Sequence, residues 1–599
     1  MSVSTLPHWD MTTVYPALDA QEFEQDFQQL VKSIEALVAY FDKHQIGHQD
    51  NLSVDANVVS VFEALLQKFN SVIESQQTMG AYIMSFVTTD SRDTVAQGKL
   101  SAFQQHTVKT SMLGTRLTAW VGSLDVDALM DQSDVAKAHT FWLKKSKEAA
   151  SHLMSPKEEA LAAEMNLTGG SAWARLHGSV TSQMMVDVHL KDGIDTMPMS
   201  AVRNLASNED RDVRKAAYTA ELDAWKKHEV PTAAALNGVK GQVGLLARKR
   251  GWNSPLDSAL FDSHIDRETL DTMMSAAQAA FPDMRRYFKA KAEGLGLEKL
   301  AWHDMFAPLG GGRTWTYSEA ESFIIEQFGT YSEKLKGLAE RAFSENWIDA
   351  EPRSGKRDGA FCMKVRKDES RILANFKPSY GSVSTLAHEL GHAYHNVNLA
   401  TRDTSFQRIN PMTLAETASI FCEALVQDAA LKHADEAEQL SILEASLQRD
   451  GQLVVDICSR FHFEKTVFDK RSERELSADE FKNIMLEGQQ LTYGDGLDES
   501  TYHPYMWAVK PHYYRPELSF YNYPYMFGRL FGLGLFARYK ADPESFKSGY
   551  DDLLASTGIA DATELAQRFD IDIRSPEFWT ASLDVIRADI DQFEALVNG

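Results

Sequence analysis

Apolar side chains recur every three or four positions through the first quarter of the chain. Phe23, Phe27, Leu30, Ile34 and Leu37 form one such stripe, and Val58, Phe62, Leu65 and Phe69 form another. This spacing gathers side chains on one face of an α-helix, and it predicts long amphipathic helices from about residue 17 to residue 150. Neither stripe holds a cluster of metal-binding side chains, so both read as core. Residues 85–93, rich in Ser, Thr and Asp, read as a connection. From Gly169 to Met197 the pattern turns short and irregular, and the alternation from Met184 to Leu190 predicts a small strand pair. Helical spacing returns near Ser200. Residues 371–376 alternate and read as a strand, residues 377–382 as a turn, and the stretch that follows as a helix. The sum is a mainly α-helical chain with a small β-sheet beside one particular helix.

That helix carries the chemistry. Ala387-His388-Glu389-Leu390-Gly391-His392-Ala393-Tyr394-His395 contains H-E-x-x-H. Two histidines four residues apart stand on one helical face about one turn from each other, close enough to grip a single metal ion. Glu389 then lies beside the metal, where a carboxylate can take a proton from water and pass it to a leaving amine. His395 continues the His face but lies too far along the axis, ~7 Å beyond the midpoint of the pair, for a ~2 Å bond. The third ligand must come from another helix. After the break at Pro411, Glu416 and Glu423 are seven residues apart on an otherwise apolar helix-like run. Glu416 is assigned to the metal, and Glu423 to the free ring N–H of a ligating histidine, where it fixes the tautomer. A free edge on the preceding strand would pair with an extended peptide, which makes Ala374, Asn375 and Phe376 candidate substrate contacts. Zinc is the metal this ligand set suggests, and cobalt or manganese also suits nitrogen and oxygen donors.

Composition narrows the reading. Hydrophobic residues at 44% of 599 supply a large core, and a net charge of −24 argues against a nucleic-acid partner and for cationic or neutral ligands. The three cysteines, Cys362, Cys422 and Cys458, cannot build a disulfide framework and point to a reducing cytoplasm. Residues 1–10 have neither the basic nor the apolar region of a secretion signal, and no stretch is long enough to span a membrane. A cytoplasmic location is expected. Gly310-Gly311-Gly312-Arg313 lacks the spacing of a phosphate loop and reads as a turn. The basic, Gly-punctuated residues 353–361 read either as a substrate-contacting loop or as solvated surface. Five tyrosines and His512 fall within residues 512–525, a density beyond the needs of a core, because each buried phenol requires a hydrogen-bond partner.

H-E-L-G-H followed by Glu416-Thr417-Ala418-Ser419-Ile420-Phe421-Cys422-Glu423 resembles the thimet oligopeptidase and oligoendopeptidase F family of zinc metallopeptidases, on the oligoendopeptidase F side. The resemblance takes in the strand and turn before the metal helix and runs through most of the chain. It implies a large multi-helical zincin-type metallopeptidase enclosing a deep substrate channel. Its parts would be an N-terminal helical region at residues 1–115, an oligoendopeptidase F-type subdomain at 116–199 and a catalytic domain at 200–599. It implies one zinc ion per chain, held by His388, His392 and Glu416, with short peptides as substrates. It also implies that His512 and Tyr525, then Tyr521, bind substrate and stabilise the oxyanion, with Tyr523 as a substrate contact. Two other readings remain: a metallocarboxypeptidase of similar helical build, and a non-catalytic peptide-binding protein with a structural zinc. The second is the weaker, because structural zinc sites usually close with four ligands and need no Glu389. The oligomeric state is not legible in the sequence.

Overall fold

The computed structural model describes residues 6–50 and 52–599; the first five positions of the stretch read for a secretion signal lie outside the described residues. Helices dominate. The N-terminal stripes form α1 (Gln21–Lys43), α2 (Ala56–Thr89) and α3 (Thr94–Ser123), with the predicted apolar residues buried. Asp55 and Asp93 cap α2 and α3, their carboxylates accepting from Val58 N and from Val95 and Ala96 N. The connection expected at residues 85–93 is shorter than predicted, because α2 continues through Thr89. Ser85, Thr88 and Thr89 donate their hydroxyls to carbonyls three or four residues back, at 2.6–2.7 Å, which keeps these polar side chains within the helix.

Residues 170–182, expected to be irregular, form a helix instead, α4 (Gly170–Ser182). It packs on α5 (Arg211–Lys249), where the indole of Trp173 lies against Gly238. Tertiary packing has overridden a weak local pattern here. The predicted strand pair follows as β1 (Met185–Leu190) and β2 (Gly193–Pro198), antiparallel.

A second, three-stranded sheet contains β3 (Ile348–Asp349), β4 (Phe361–Arg366) and β5 (Glu369–Leu373) in the order β3-β5-β4. The edge expected at residues 372–376 is therefore corrected: β5 is the central strand. Ile372 N and Ala374 N donate to Trp347 O and Asp349 O, Phe376 N donates to Ala350 O, and Lys356 Nζ donates to Ala374 O. Ala374 and Phe376 are buried, and the Asn375 amide donates to Arg357 O and Gly359 O. Of the two outer strands, β3 is flanked by the bonds Asp10 N to Asn346 O and Ala350 N to Pro7 O, which leaves β4 as the one with an open stretch among the described residues. Lys356 and Arg353, in the basic loop, are both held by Asp349, so neither is free for a substrate.

The sheet leads into the helix that carries H-E-x-x-H, α6 (Tyr380–Leu399), which packs on α7 (Thr417–His433). Continuing along the chain are α8 (Glu436–Asp450), α9 (Ile457–Arg471), α10 (Tyr523–Ala541) and the C-terminal α11 (Pro576–Asn598). Two apolar cores result. One lies among residues 11–143 and the other among residues 184–593, and Phe406, just after the metal helix, plugs into the first, 5.7 Å from the Phe69 ring. No described helix is long and apolar enough to cross a membrane.

The contact between α6 and α7 is set by Gly391. A Cβ there would fall 2.6 Å from Ser419 Cα and 2.7 Å from Ala418 O, both backbone atoms that cannot swing aside. Gly391→Ala is expected to force the helices apart at a cost of about 1–3 kcal/mol. A thermal scan should show a lowered midpoint, and an unchanged midpoint would mean that the helices have slack here.

Candidate metal centre

Helical periodicity brings His388 and His392 together on α6, with ring centroids 4.9 Å apart. Glu416 arrives from the kink between the short helix Met412–Ala415 and α7. Its Oε2 lies 3.2 Å from His388 Nε2 and 3.3 Å from His392 Nε2. One atom from each of the three residues can be chosen so that all lie within 4.8 Å of one another. Bonds of about 2.0–2.1 Å at tetrahedral angles place donors about 3.3–3.4 Å apart, so this triad fits a zinc-sized cation. Glu416 is held in place from two sides. Ser419 Oγ donates to Oε2 at 2.8 Å, and α10 presses against its stem at Gly528, where a Cβ would come 2.7 Å from Glu416 Cβ.

The electrostatics also call for positive charge. Burial lowers the His388 pKa, but Glu416 and Glu423 outweigh it and carry the ring up to about 10. In effect the carboxylates demand a cation between them, and a metal ion answers that demand.

Glu423 Oε2 lies 3.2 Å from His388 Nδ1. An Nδ1–H donating to this carboxylate leaves the Nε2 lone pair facing the triad. Glu423 is itself almost fully buried. Burial alone would raise its pKa, but Arg449, His388 and Arg529 hold the carboxyl down at about 2. Arg449 pairs with it directly, and Arg529 Nη1 lies 3.5 Å away while Asp450 grips that guanidinium at 2.7 and 3.0 Å.

Glu389 is buried beside the histidines, and its Oε2 has no hydrogen-bond partner among the described residues. Burial raises its pKa, against the pull of His388 and His392. The backbone of Cys362, on β4, is near enough to the carboxylate to favour its charged form. His395 is turned away from the triad, with Nε2 3.0 Å from Thr557 Oγ1, and burial lowers its pKa to about 3.

The tyrosines divide by environment. Tyr525 touches Tyr521 hydroxyl to hydroxyl, and its pKa is raised by burial, then by Tyr521, then by the charge of Glu416. It therefore keeps its proton as a donor near the triad. The His512 ring lies 5.6 Å from the Tyr521 ring, tilted by 38°. Tyr523 is 1% exposed and donates to Ala259 O at 3.0 Å, so its hydroxyl is engaged in packing α10 and is not offered to a ligand.

Sequence reasoning had no view of the glycine contacts, of the arginines behind Glu423 or of Asn522, whose amide meets His512 at 2.7 Å. One signal was present. Gly528 and Gly532 stand four apart on an apolar helix, a spacing that lets another backbone come close.

An H-E-x-x-H helix, a carboxylate from the next helix and a small sheet alongside, all within a helical body, are the marks of the multi-helical zincin-type metallopeptidases. The chain belongs to peptidase family M3: the sequence model of that family matches residues 204–585, and the one described as Oligopeptidase F matches residues 124–185. Among its relatives, an oligoendopeptidase F homolog of Lactococcus lactis is 23% identical over 98% of this chain and 97% of its own length. Oligopeptidase PepF of Bacillus subtilis is 22% identical over 98% and 87%. Among solved structures, oligoendopeptidase-F from Enterococcus faecium superposes with a TM-score of 0.70 at 16% identity, covering 97% of this chain and all of that one. The fold extends to Trypanosoma cruzi metallocarboxypeptidase 1, with a TM-score of 0.54 at 13% identity over 87% of this chain and 99% of that one.

The two carboxylates of the centre should separate experimentally. Glu416→Ala removes a direct donor and is expected to abolish zinc retention, whereas Glu423→Ala should weaken zinc by about 10–100-fold. Chelator competition on both variants measures this. Parental affinity in Glu416→Ala would move the third ligand elsewhere.

Proposed function

We propose that the protein is a zinc-dependent oligoendopeptidase that hydrolyses internal bonds of short, unstructured peptides in the cytoplasm. The observation that carries this reading is the convergence of His388, His392 and Glu416 with the unpartnered Glu389 carboxylate beside them. His388 and His392 would hold zinc through their Nε2 atoms and Glu416 through its carboxylate. Bound zinc supplies a Lewis acid that acidifies water and polarises a carbonyl.

The chain's own groups do the rest. Glu389 takes the proton of the attacking water and returns it to the leaving nitrogen, and its raised pKa narrows the gap between these two tasks. Tyr525 and His512 donate hydrogen bonds to the carbonyl oxygen as it gains charge, with Tyr521 orienting Tyr525 through their shared contact. An extended peptide adds to the free side of β4, beside Cys362, and so lies across Glu389. This takes over the substrate-pairing role first given to residues 374–376.

Peptides blocked at both ends test the reading. An endopeptidase cuts inside them, a carboxypeptidase cannot begin, and a binding protein leaves them whole. Cutting is expected to fall off beyond about twenty residues, given ~3.3 Å per extended residue across a cavity of domain size. A folded domain of ~100 residues, with a radius of gyration of ~13 Å, should be spared. Digestion of a folded protein would contradict an enclosed site.

Glu389→Gln should retain stoichiometric zinc and lose turnover by about 10²–10⁴-fold or more. Wild-type turnover in that variant would remove Glu389 from the mechanism. Tyr525→Phe should lower kcat and kcat/KM together by about 2.7–4 kcal/mol with little change in KM, since an oxyanion donor acts mainly in the transition state. If Tyr525→Phe is silent and Tyr521→Phe is crippled, the two tyrosines exchange roles.

A further inference from the structure

His512 lies in the short turn Pro511–Tyr514, and its Nε2 is 2.7 Å from Asn522 Nδ2. The other end of the same amide, Oδ1, lies 3.1 Å from Arg460 Nη1. Arg460 is in turn held through Nη2 by Asp456, one helical turn earlier. The direction of each bond is forced. A guanidinium can only donate, so the amide atom facing Arg460 must be the oxygen. The amide nitrogen must then face the imidazole, and because it too can only donate, His512 Nε2 must be the acceptor and carry no proton. In a neutral ring the proton is then on Nδ1.

We infer that Asp456, Arg460 and Asn522 form a directional relay that fixes His512 as a neutral imidazole protonated on Nδ1, leaving that N–H as its only donor. Nδ1 makes no hydrogen bond to any described residue and is not among the sealed, unpartnered atoms, so the donor is open to a ligand. The tautomer follows from the geometry alone. Its use, donation to a substrate carbonyl, rests on the peptidase reading above.

The surroundings oppose a second proton. Burial is the largest cause, followed by the positive charges of Arg460 on α9, Lys240 on α5 and Lys510 just before the turn, of which Arg460 and Lys240 are themselves paired with Asp456 and Glu464. The remaining close neighbours are the rings of Tyr513 and Tyr521. Together these hold the His512 pKa at about 2, so the neutral form persists across the working range of an enzyme. Without the relay, a neutral histidine could place its proton on either nitrogen and would offer the ligand a lone pair part of the time. Asn522, Arg460 and Asp456 are positioning residues, acting on substrate only through the ring.

Two measurements test the relay. The first is ¹⁵N NMR of histidine-labelled protein, with His512→Gln to assign the ring. The expected result is protonated Nδ1 and bare Nε2 from about pH 5 to pH 9. A proton on Nε2 in the parent would overturn the relay whatever the enzyme does. The second is the pH profile of Asn522→Asp. A carboxylate only accepts, so the facing Nε2 must now carry a proton, and the ring's pKa rises. Below the raised pKa the imidazolium still offers Nδ1–H. Above it the neutral ring presents a bare Nδ1, and kcat is expected to fall with rising pH by up to about tenfold per pH unit. The parent should lack this limb. An Asn522→Asp profile of the parent's shape would overturn the proposal. If the parent cuts no peptide yet shows the Nδ1–H ring, the peptidase reading fails and the relay stands.

Discussion

The candidate metal centre depends on how closely three helices approach. His388 and His392 share a face by helical period alone, but a carboxylate from another helix reaches them only if the two backbones nearly touch. Gly391 permits that contact, since any side chain there would meet Ser419 Cα at 2.6 Å. Gly528 repeats the device on the far side of Glu416, and Gly532, one turn on, lets α10 settle on Ile420, where a Cβ would lie 2.6 Å from that residue's own Cβ. Glu416 sits at the kink before α7, between the metal helix and α10, and its carboxylate has little room to point elsewhere. Pre-organisation of this kind spares the ligand set the entropy of being gathered when the ion arrives.

Close packing brings a second constraint, because it buries charge. Glu423 is 1% exposed, and an isolated carboxylate there would cost several kcal/mol. Two arginines and His388 answer it, and Asp450 answers Arg529 in turn. The chain of alternating charges extends the metal site into α8 and α10, so the orientation of His388 is fixed by residues that never touch a ligand. Arg460 and Asn522 stand behind His512 in a similar way. The candidate centre is bracketed by two sets of one-way hydrogen bonds, one at Nδ1 of His388 and the other at Nε2 of His512.

Much of this was legible in the sequence wherever a single helix held the information. The stripe from Phe23 to Leu37 and the pair His388 and His392 need only the 3.6-residue period. Glu416 was singled out because its spacing from Glu423 is also a helical quantity, and the structure brings its carboxylate to the two histidines. What escaped were facts about neighbours. Residues 371–376 alternate as a strand should, yet alternation does not say which strands flank it. The pairing of β3 on one side and β4 on the other turned an expected edge into the centre. Tyr523 and Tyr525 look alike in sequence but stand on different faces of α10, so one hydroxyl packs against Ala259 and the other comes near Glu416. The helix from Gly170 to Ser182 was missed because its helical character comes from packing on α5 and its own pattern is weak.

The N-terminal helices carry none of the chemistry, yet they are fastened to it at defined points. Phe406 enters their core, Ser405 N donates to Asn70 Oδ1 at 2.6 Å, and His139 Nε2 meets Thr404 Oγ1 at 2.7 Å, all within the loop that follows the metal helix. On the sheet side, Thr78 donates to Val365 O on β4 at 2.8 Å, and Arg357 N donates to Thr88 O at 2.8 Å in the loop leading into β4. The same helices thus grip the end of the metal helix and the strand that faces Glu389. One end of β4 is taken up by α2, while Cys362 lies toward the other end, near Glu389. On the peptide pairing proposed above, a strand added to β4 would have room at the Cys362 end and would meet α2 at the other, so the N-terminal core would limit its register without supplying a reacting group.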